Sequence, residues 1–249
     1  MADENSAPEQ TRFTGRVWLI LLCALSVIVF LALVMPGVFQ VNHGKRSFEI
    51  KKPIERLVFD SKGDSKVDIS LSRDGHVHFR RTSSISRDSR LIERKTVSGK
   101  TLTIRSSCTG SRLGILRRCE THYYLRVPKK IALALHVHIG ITKIHGVRGR
   151  LEYHSDAGNF KASGCNKRVD LSLTYGHIAY RNTCVPRLVK VKMRAGGVEL
   201  TVPAGRYNVH PGGKARRPYA NIIQDPSSRS AINVDIDWGG SIRITGVRP

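Results

Sequence analysis

The chain has 249 residues, 40% of them hydrophobic, which is enough for one sizeable folded domain and an additional segment. Its 42 Lys and Arg residues against 19 Asp and Glu residues give a formal charge of +23. Residues 1–39 have a net charge of −1, so the positive excess lies on the rest of the chain. This charge favours polyanionic partners, and the sequence has no phosphate-binding glycine loop, nucleophile elbow, metalloprotease helix or dinucleotide fingerprint.

An uncharged segment of nineteen residues runs from Val17 to Met35. As a helix it would span about 28 Å, close to the hydrocarbon thickness of a bilayer. The sequence therefore predicts a cytoplasmic tail at 1–16 and a single transmembrane helix at 17–39. A cleaved signal peptide is the alternative, but the apolar run is too long and no small-x-small cleavage site follows it.

Two patterns disagree about which side of the membrane the domain faces. Two arginines precede the predicted helix and four basic residues soon follow it, a count that favours the cytoplasm, although this rule weakens for long domains. The domain has four cysteines, whose spacings pair Cys108 with Cys119 and Cys165 with Cys184. Disulfides need an oxidising compartment, so we expect an extracytoplasmic domain on the cell membrane; four reduced thiols in a cytosolic domain are the alternative.

Beyond the helix, the sequence predicts a basic linker at 40–53 and a β-repeat domain at 54–249. Alternating apolar residues between Ile54 and Phe79 predict opening strands that cap one end, and the polar segment 80–95 predicts an exposed loop or edge strand. Tyr207 and Val209, before Gly212, resemble a degenerate layer. The period returns at about 231–246, which we expect to be the C-terminal cap.

The central segment, about 133–202, contains four similar units. Each has an apolar trio at alternate positions, then a glycine, then an apolar pair that starts two residues later. The glycines are Gly140, Gly158, Gly176 and Gly196, at spacings of 18, 18 and 20. Such a period predicts stacked units of strand, glycine turn and strand. The predicted fold is all-β, a parallel β-solenoid or a related layered fold; an antiparallel β-sandwich is the alternative.

The chain has a cysteine-containing hairpin before Val127-Pro128, the repeated V-x-L-x-x-x-G-x-I segments and a VPAG turn at 202–205. In this order, these features resemble the putative-adhesin family of β-strand-repeat bacterial envelope proteins, whose toast-rack-like domains have no established function. The usual SGD triplet is replaced by HIG, DAG, TYG and AGG. The resemblance implies an envelope binding domain and brings no catalytic residues.

Two sets of side chains have residue types that could act in catalysis or bind a metal. Glu152 and Asp170 lie one period apart and predict a solvated charge ladder, because a glycosidase cleft needs convergent acids. His136, His138 and His154 lie on an outward face, where the imidazoles of His136 and His154 could stack, but no clustered cysteine or carboxylate completes a metal site there. We therefore predict no catalytic residue, no metal and no cofactor, and a protein that is not an enzyme.

Basic residues at the repeat period are the candidate binding site. Three of them precede the first strand of a unit, two form a second row and three alternate along one strand: Arg150, Arg168 and Arg187; Lys143 and Lys161; Lys190, Lys192 and Arg194. Like charges on neighbouring strands repel, and a bound polyanion would relieve that repulsion. The alternative is that these charges only keep the domain soluble and its edges unpaired.

The sequence thus predicts a membrane-anchored binding or structural module that contacts anionic envelope polymers or lipid head groups. Specific nucleic acid is not expected, because aromatic residues are not interleaved with the basic rows. A stress-sensing module that works through a membrane protein partner is the first alternative, and a polysaccharide-active enzyme is the second.

Overall fold

The computed structural model describes residues 18, 20, 22–29, 41–86, 89–110, 119–214 and 216–248. For residues 41, 110 and 216–219 it describes the backbone alone. Contacts divide the chain into two units, Met1–Val41 and Asn42–Pro249. The strands begin at Val41.

Residues 18, 20 and 22–29 are helical. No helix in the described part of the chain is both long enough and apolar enough to cross a bilayer. The predicted tail at 1–16 and part of the predicted membrane segment at 17–39 lie outside the described residues.

The described residues include thirteen strands, which join in one open sheet. In chain order they are β1 (Val41–Ile50), β2 (Arg56–Leu71), β3 (Val77–Ser86), β4 (Ser89–Ser98), β5 (Thr101–Gly110), β6 (Cys119–Val127), β7 (Ala132–Asn182), β8 (Leu188–Pro203), β9 (Arg206–Gly213), β10 (Arg216–Asn221), β11 (Ile223–Gln224), β12 (Ala231–Ile236) and β13 (Gly240–Val247). The sheet follows the order β1-β3-β6-β2-β7-β8-β12-β9-β11, with β4, β5, β10 and β13 attached beside this path.

The repeats stack in parallel and in register, as the glycine spacing predicts. Strand β2 pairs with β7 so that Leu57 lies beside Leu133, and β7 pairs with β8 so that Val169 lies beside Val189. Within the 51 residues of β7, residues 18 positions apart are neighbours, and the rings of His136 and His154 stack with centroids 5.0 Å apart. The antiparallel sandwich is therefore wrong for the repeats.

Each layer has a first arm before its corner glycine and a second arm after it. The inward-facing residues predicted for the four units are at most 8% exposed, so the alternation identified the core correctly. The two arms pack against each other, since the rings of Tyr153 and Phe160, on opposite sides of Gly158, have centroids 4.3 Å apart. The core is thus a continuous apolar column between two faces, as expected where no single unit can bury its own surface.

The predicted linker at 40–53 is wrong for most of its length, because β1 occupies Val41–Ile50 and pairs with β3. Phe48 stacks on Phe79 with ring centroids 4.4 Å apart, and Ile50 is 8% exposed. Most other residues of the segment face solvent, and several of them are basic. Because of these charged residues, the sequence pattern did not reveal the inward positions of Phe48 and Ile50. The polar segment 80–95 includes the end of β3 and most of β4, and β4 pairs with β5 as an antiparallel edge hairpin, so the predicted edge strand is confirmed.

Layers at both ends are out of chain order. Strand β2 lies next to the repeats and is covered by β5 and β6, whereas β3, which begins at Val77, lies beyond β6 at this end of the sheet, with β1 at its edge. At the other end, β12 lies between β8 and β9, and β13 lies between β8 and β10. The segment predicted as the C-terminal cap, 231–246, is therefore an inner layer, and β9 and β10 cover it.

Candidate cationic groove

Five basic side chains line a groove of about 530 Å³ where one layer passes to the next. They are Lys130, Arg148, Arg150, Lys167 and Arg168, and the other lining residues are Ile131, Ala132, Gly149 and Cys165. The five basic residues are solvent exposed, and no described lining residue is a carboxylate. The groove therefore combines a cationic rim with a small apolar floor.

Backbone pairing between layers brings these cations together. Lys130 and Arg148 form a parallel bridge, in which the Ile131 amide donates to the Arg148 carbonyl at 2.9 Å and the Arg148 amide donates to the Lys129 carbonyl at 2.7 Å. At Gly149, φ is 145° and an added Cβ would lie 2.2 Å from the Ile131 carbonyl oxygen. Glycine is thus required there for the two layers to approach.

Two buried asparagines hold the turn that carries Cys165 and Lys167. The Asn166 amide donates to the side-chain oxygen of Asn182, and the Asn182 Nδ2 donates back to the Asn166 carbonyl, both at 2.9 Å. The Asn166 Nδ2 also donates to the Gly149 carbonyl at 2.9 Å. These bonds satisfy buried polar groups, so the groove rests on a fixed backbone.

Tyr180 adds a further bond to this network, because its hydroxyl donates to Asn166 Oδ1 at 3.1 Å. Burial raises the pKa of Tyr180 far above its ordinary value, which keeps the hydroxyl protonated as a donor. The predicted disulfide between Cys165 and Cys184 is present, with Cα atoms 5.1 Å apart. It connects neighbouring turns beside the groove.

The second predicted disulfide, Cys108–Cys119, is also present, with a Cα separation of 6.4 Å. It joins the end of β5 to the start of β6, at the end of the stack away from β8. The intervening residues 111–118 lie outside the described residues. Both cysteine pairs proposed from spacing therefore form in the structure.

The predicted basic edge is only partly continuous. Arg150 and Arg168 both line the groove, but Leu188 takes the place beside Arg168, and the Arg187 amide instead donates to the Lys167 carbonyl at 2.8 Å. Arg187 is thus one residue out of register, because the last spacing in this series is 19 and the layer there is longer. Arg150 also pairs with Glu152 at 2.5 Å, so one of the five charges is partly neutralised.

The other predicted basic residues lie elsewhere. Lys143 and Lys161 lie on second arms, where Lys143 is beside Asp68 and Lys161 lines a separate groove of about 340 Å³. The three cations of β8 are Lys190, Lys192 and Arg194. Asp170 is paired in register with Lys190, and Asp235 with Lys192, so carboxylates border that row.

Arg194 contacts aromatic rings, with its guanidinium carbon 4.4 Å from the Trp238 ring centroid and 5.9 Å from that of Tyr175. Glu152, half of the predicted acidic ladder, is contacted by Arg150 and lies 3.9 Å from Arg56. His138 pairs with Asp156 at 2.5 Å. These contacts are outward-facing polar pairs, which fits the predicted solvated ladder.

Sequence reasoning missed three groove residues: Lys130, Arg148 and Lys167. Lys130 and Arg148 are 18 residues apart, the same period that identified Arg150 and Arg168. Arg148 lies two residues before Arg150, and Lys167 lies directly before Arg168. A search for the repeat period among all basic residues would have found the Lys130–Arg148 pair.

No protein-family model matches the sequence, and no curated protein matches it. Several solved structures do match this chain. A putative cell adhesion protein from Clostridium sporogenes matches with a TM-score of 0.50 and 16% identity, over 84% of this chain and 100% of that one.

Two further structures are more distant. A putative adhesin from Bacteroides fragilis has a TM-score of 0.35 and 11% identity, covering 82% of this chain and 97% of that one. A putative lipid binding protein from Parabacteroides distasonis has a TM-score of 0.29 and 13% identity, covering 81% and 96%. The likeness to the clostridial protein shows the fold, and the chain is therefore built on the β-repeat fold of a putative adhesin, as the resemblance predicted.

Proposed function

We propose that this protein is a membrane-anchored, extracytoplasmic binding module with solenoid-like β-repeats, and that it binds phosphodiester anions of the cell envelope. The observation that carries the proposal is the groove with five basic side chains and no carboxylate among its described lining residues. The adhesin-like fold supports a binding role, because such folds present stacked surfaces to a ligand. The finer choice of ligand comes from the groove chemistry.

Phosphodiesters suit this groove for two reasons. Three of its five cations are arginines, whose planar guanidinium groups bind phosphate oxygens in pairs. The charges repel one another while the groove is empty, and an anion would relieve that repulsion. The apolar floor formed by Ile131 and Ala132 can contact the glycerol or alkyl part next to a phosphate. Both anionic phospholipid and phosphate-bearing wall polymer have this chemistry.

The test measures binding of the full chain in zwitterionic detergent to two probes, poly(glycerol phosphate) and short-chain phosphatidylglycerol. We expect saturable binding that weakens as salt rises from 0.05 to about 0.2 M, since exposed charges are screened. Changing Arg148, Arg150 and Arg168 together to serine should weaken binding about a hundredfold at low salt, because each basic residue near an anionic surface contributes about 1 kcal/mol.

A matched triple variant, Arg94→Ser, Arg105→Ser and Arg243→Ser, removes the same charge from exposed positions outside the groove lining. Its affinity should stay within about threefold of the wild type. Equal losses in both variants would mean that net charge alone drives binding and would refute the groove. Binding of one probe and not the other assigns the source of the phosphate.

The anchoring and topology are part of the same proposal. Two disulfides in the strand domain support an oxidising compartment, and the apolar run at 17–35 supports an anchor. Thiol labelling of a Cys23→Ser variant with a membrane-impermeant maleimide tests this. In intact cells the four remaining cysteines should react only after a reductant is added. Labelling that needs permeabilisation and no reductant would place the domain in the cytoplasm.

A further inference from the structure

A second cluster of ligand groups lies at the opposite end of the stack from β8, where β1 passes the turn between β2 and β3. Glu49 is on β1, Asp74 and His76 are in the turn, and His78 is on β3. One ligand atom each from Glu49, Asp74 and His76 lie within 4.8 Å of one another. None of these residues lines the cationic groove.

Two of the three separations between ligand atoms are close to those around a small first-row metal ion. His76 Nδ1 lies 3.3 Å from Glu49 Oε1 and 3.7 Å from Asp74 Oδ2. Ligands bound at about 2.0–2.1 Å in a tetrahedral site are about 3.3–3.4 Å apart. The third pair, from Glu49 and Asp74, lies within 4.8 Å, so these two side chains would have to close on the ion.

The turn fixes the central carboxylate. The His76 amide donates to Asp74 Oδ1 at 3.0 Å, and His78 Nε2 lies 2.7 Å from Asp74 Oδ2. The bond from the His76 amide is the largest cause of a lowered pKa at Asp74, which keeps this carboxylate ionised. Carboxylates that bind a metal are usually hydrogen-bonded by an outer group, and His78 takes that position beside Asp74.

The set of ligands is also what a borderline metal prefers. Imidazole nitrogen together with carboxylate oxygen suits Zn²⁺, Co²⁺ or Ni²⁺ better than Ca²⁺ or Mg²⁺, which bind oxygen. The two carboxylates give a local charge of −2 on a chain whose formal net charge is +23. Glu49 and His78 also line a groove of about 570 Å³, which leaves the cluster accessible to an entering ion.

We propose that Glu49, Asp74 and His76, with His78 behind them, form a binding site for a divalent transition metal such as Zn²⁺. The ion would connect β1, the first strand of the sheet domain, to the turn that leads into β3. Strand β1 is held by β3 on one side, so this link would strengthen an edge of the sheet. The site is independent of the phosphodiester proposal.

The test uses tag-free, chelator-treated full chain in detergent at pH 7.5, titrated with Zn²⁺ by calorimetry and with Co²⁺ by visible absorption. We expect one ion per chain, a Co²⁺ spectrum of nitrogen and oxygen ligation, and a higher thermal midpoint with metal. His76→Gln or Asp74→Asn should lower affinity at least a hundredfold, and His78→Gln about ten- to a hundredfold.

His145→Gln is the matched control, because His145 is exposed on β7 and outside the cluster, and it should bind as the wild type does. The far-ultraviolet circular dichroism of each metal-free variant checks its fold. If the wild type shows no stoichiometric binding, or if His76→Gln keeps it, the cluster is an ion-pair network around His76 and the proposal is wrong. A misfolded Asp74→Asn does not affect the result, since the wild-type Co²⁺ spectrum and His76→Gln decide it.

Discussion

Corner glycines bring successive layers into direct backbone contact. At Gly158, φ is 140° and an added Cβ would lie 1.8 Å from the carbonyl oxygen of Gly140, the corner of the preceding layer. Gly176 and Gly196 make the same approach to the layers before them. The requirement for glycine thus comes from both the turn conformation and the neighbouring layer.

Replacing Gly158 with alanine should therefore be costly. The backbone of one layer would have to move away from the next, in addition to the strain of a positive φ, and we expect a loss of about 3 kcal/mol in the free energy of unfolding. Urea denaturation followed by circular dichroism measures this change.

Gly75→Ala is the control for the strain alone. Gly75 also has a positive φ, 76°, but no atom lies within 4 Å of the position of its Cβ. We expect a loss of about 1 kcal/mol, the cost of a left-handed conformation. Equal losses at Gly75 and Gly158 would contradict a role for the contact between layers.

Individual strands were largely predictable because each alternates inward and outward residues. The four central units have a buried trio and a buried pair at the expected positions, and this pattern also identified the cysteine pair at 165 and 184. Strand β1 was not predicted, because Phe48 and Ile50 lie among charged residues. Its alternation is therefore short, and its composition resembles that of a linker.

The order of the layers could not be predicted from the same pattern. Every layer has an equivalent apolar face, so the sequence does not say whether β8 is covered by β9 or by β12. Only one of the two candidate binding sites shares this limit. Lys130 and Arg148 meet by the repeat period, but Glu49 meets His76 only because β1 pairs with β3, a contact across 27 residues with no periodic signal.

The whole domain should be sensitive to high pH because its core contains tyrosines. Four are almost fully buried, and burial raises the pKa of each above its ordinary value: Tyr123, Tyr153, Tyr180 and Tyr207. Below about pH 10 these side chains are neutral in both the folded and the unfolded chain. Above it, the unfolded chain ionises first, so stability falls as pH rises.

We expect stability to be independent of these tyrosines up to about pH 10, and then to decrease by up to about 1.4 kcal/mol per tyrosine for each pH unit. Absorbance of tyrosinate and circular dichroism should change together at the alkaline transition. Tyr123→Phe should delay it, since the variant removes one ionising group while keeping the ring. Gradual ionisation of all tyrosines without loss of structure would contradict burial.

The placement of β12 and β13 between β8 and the β9–β10 layer has a consequence for biogenesis. Along the chain, β12 and β13 follow β9 and β10, yet they must occupy a slot between those strands and β8. Strand β8 therefore keeps a free edge until β12 and β13 have been synthesised, and until then β9 has β11 but not β12 beside it. This end of the stack can take its final arrangement only after residue 247 has left the ribosome, because the later strands join two earlier parts of the chain.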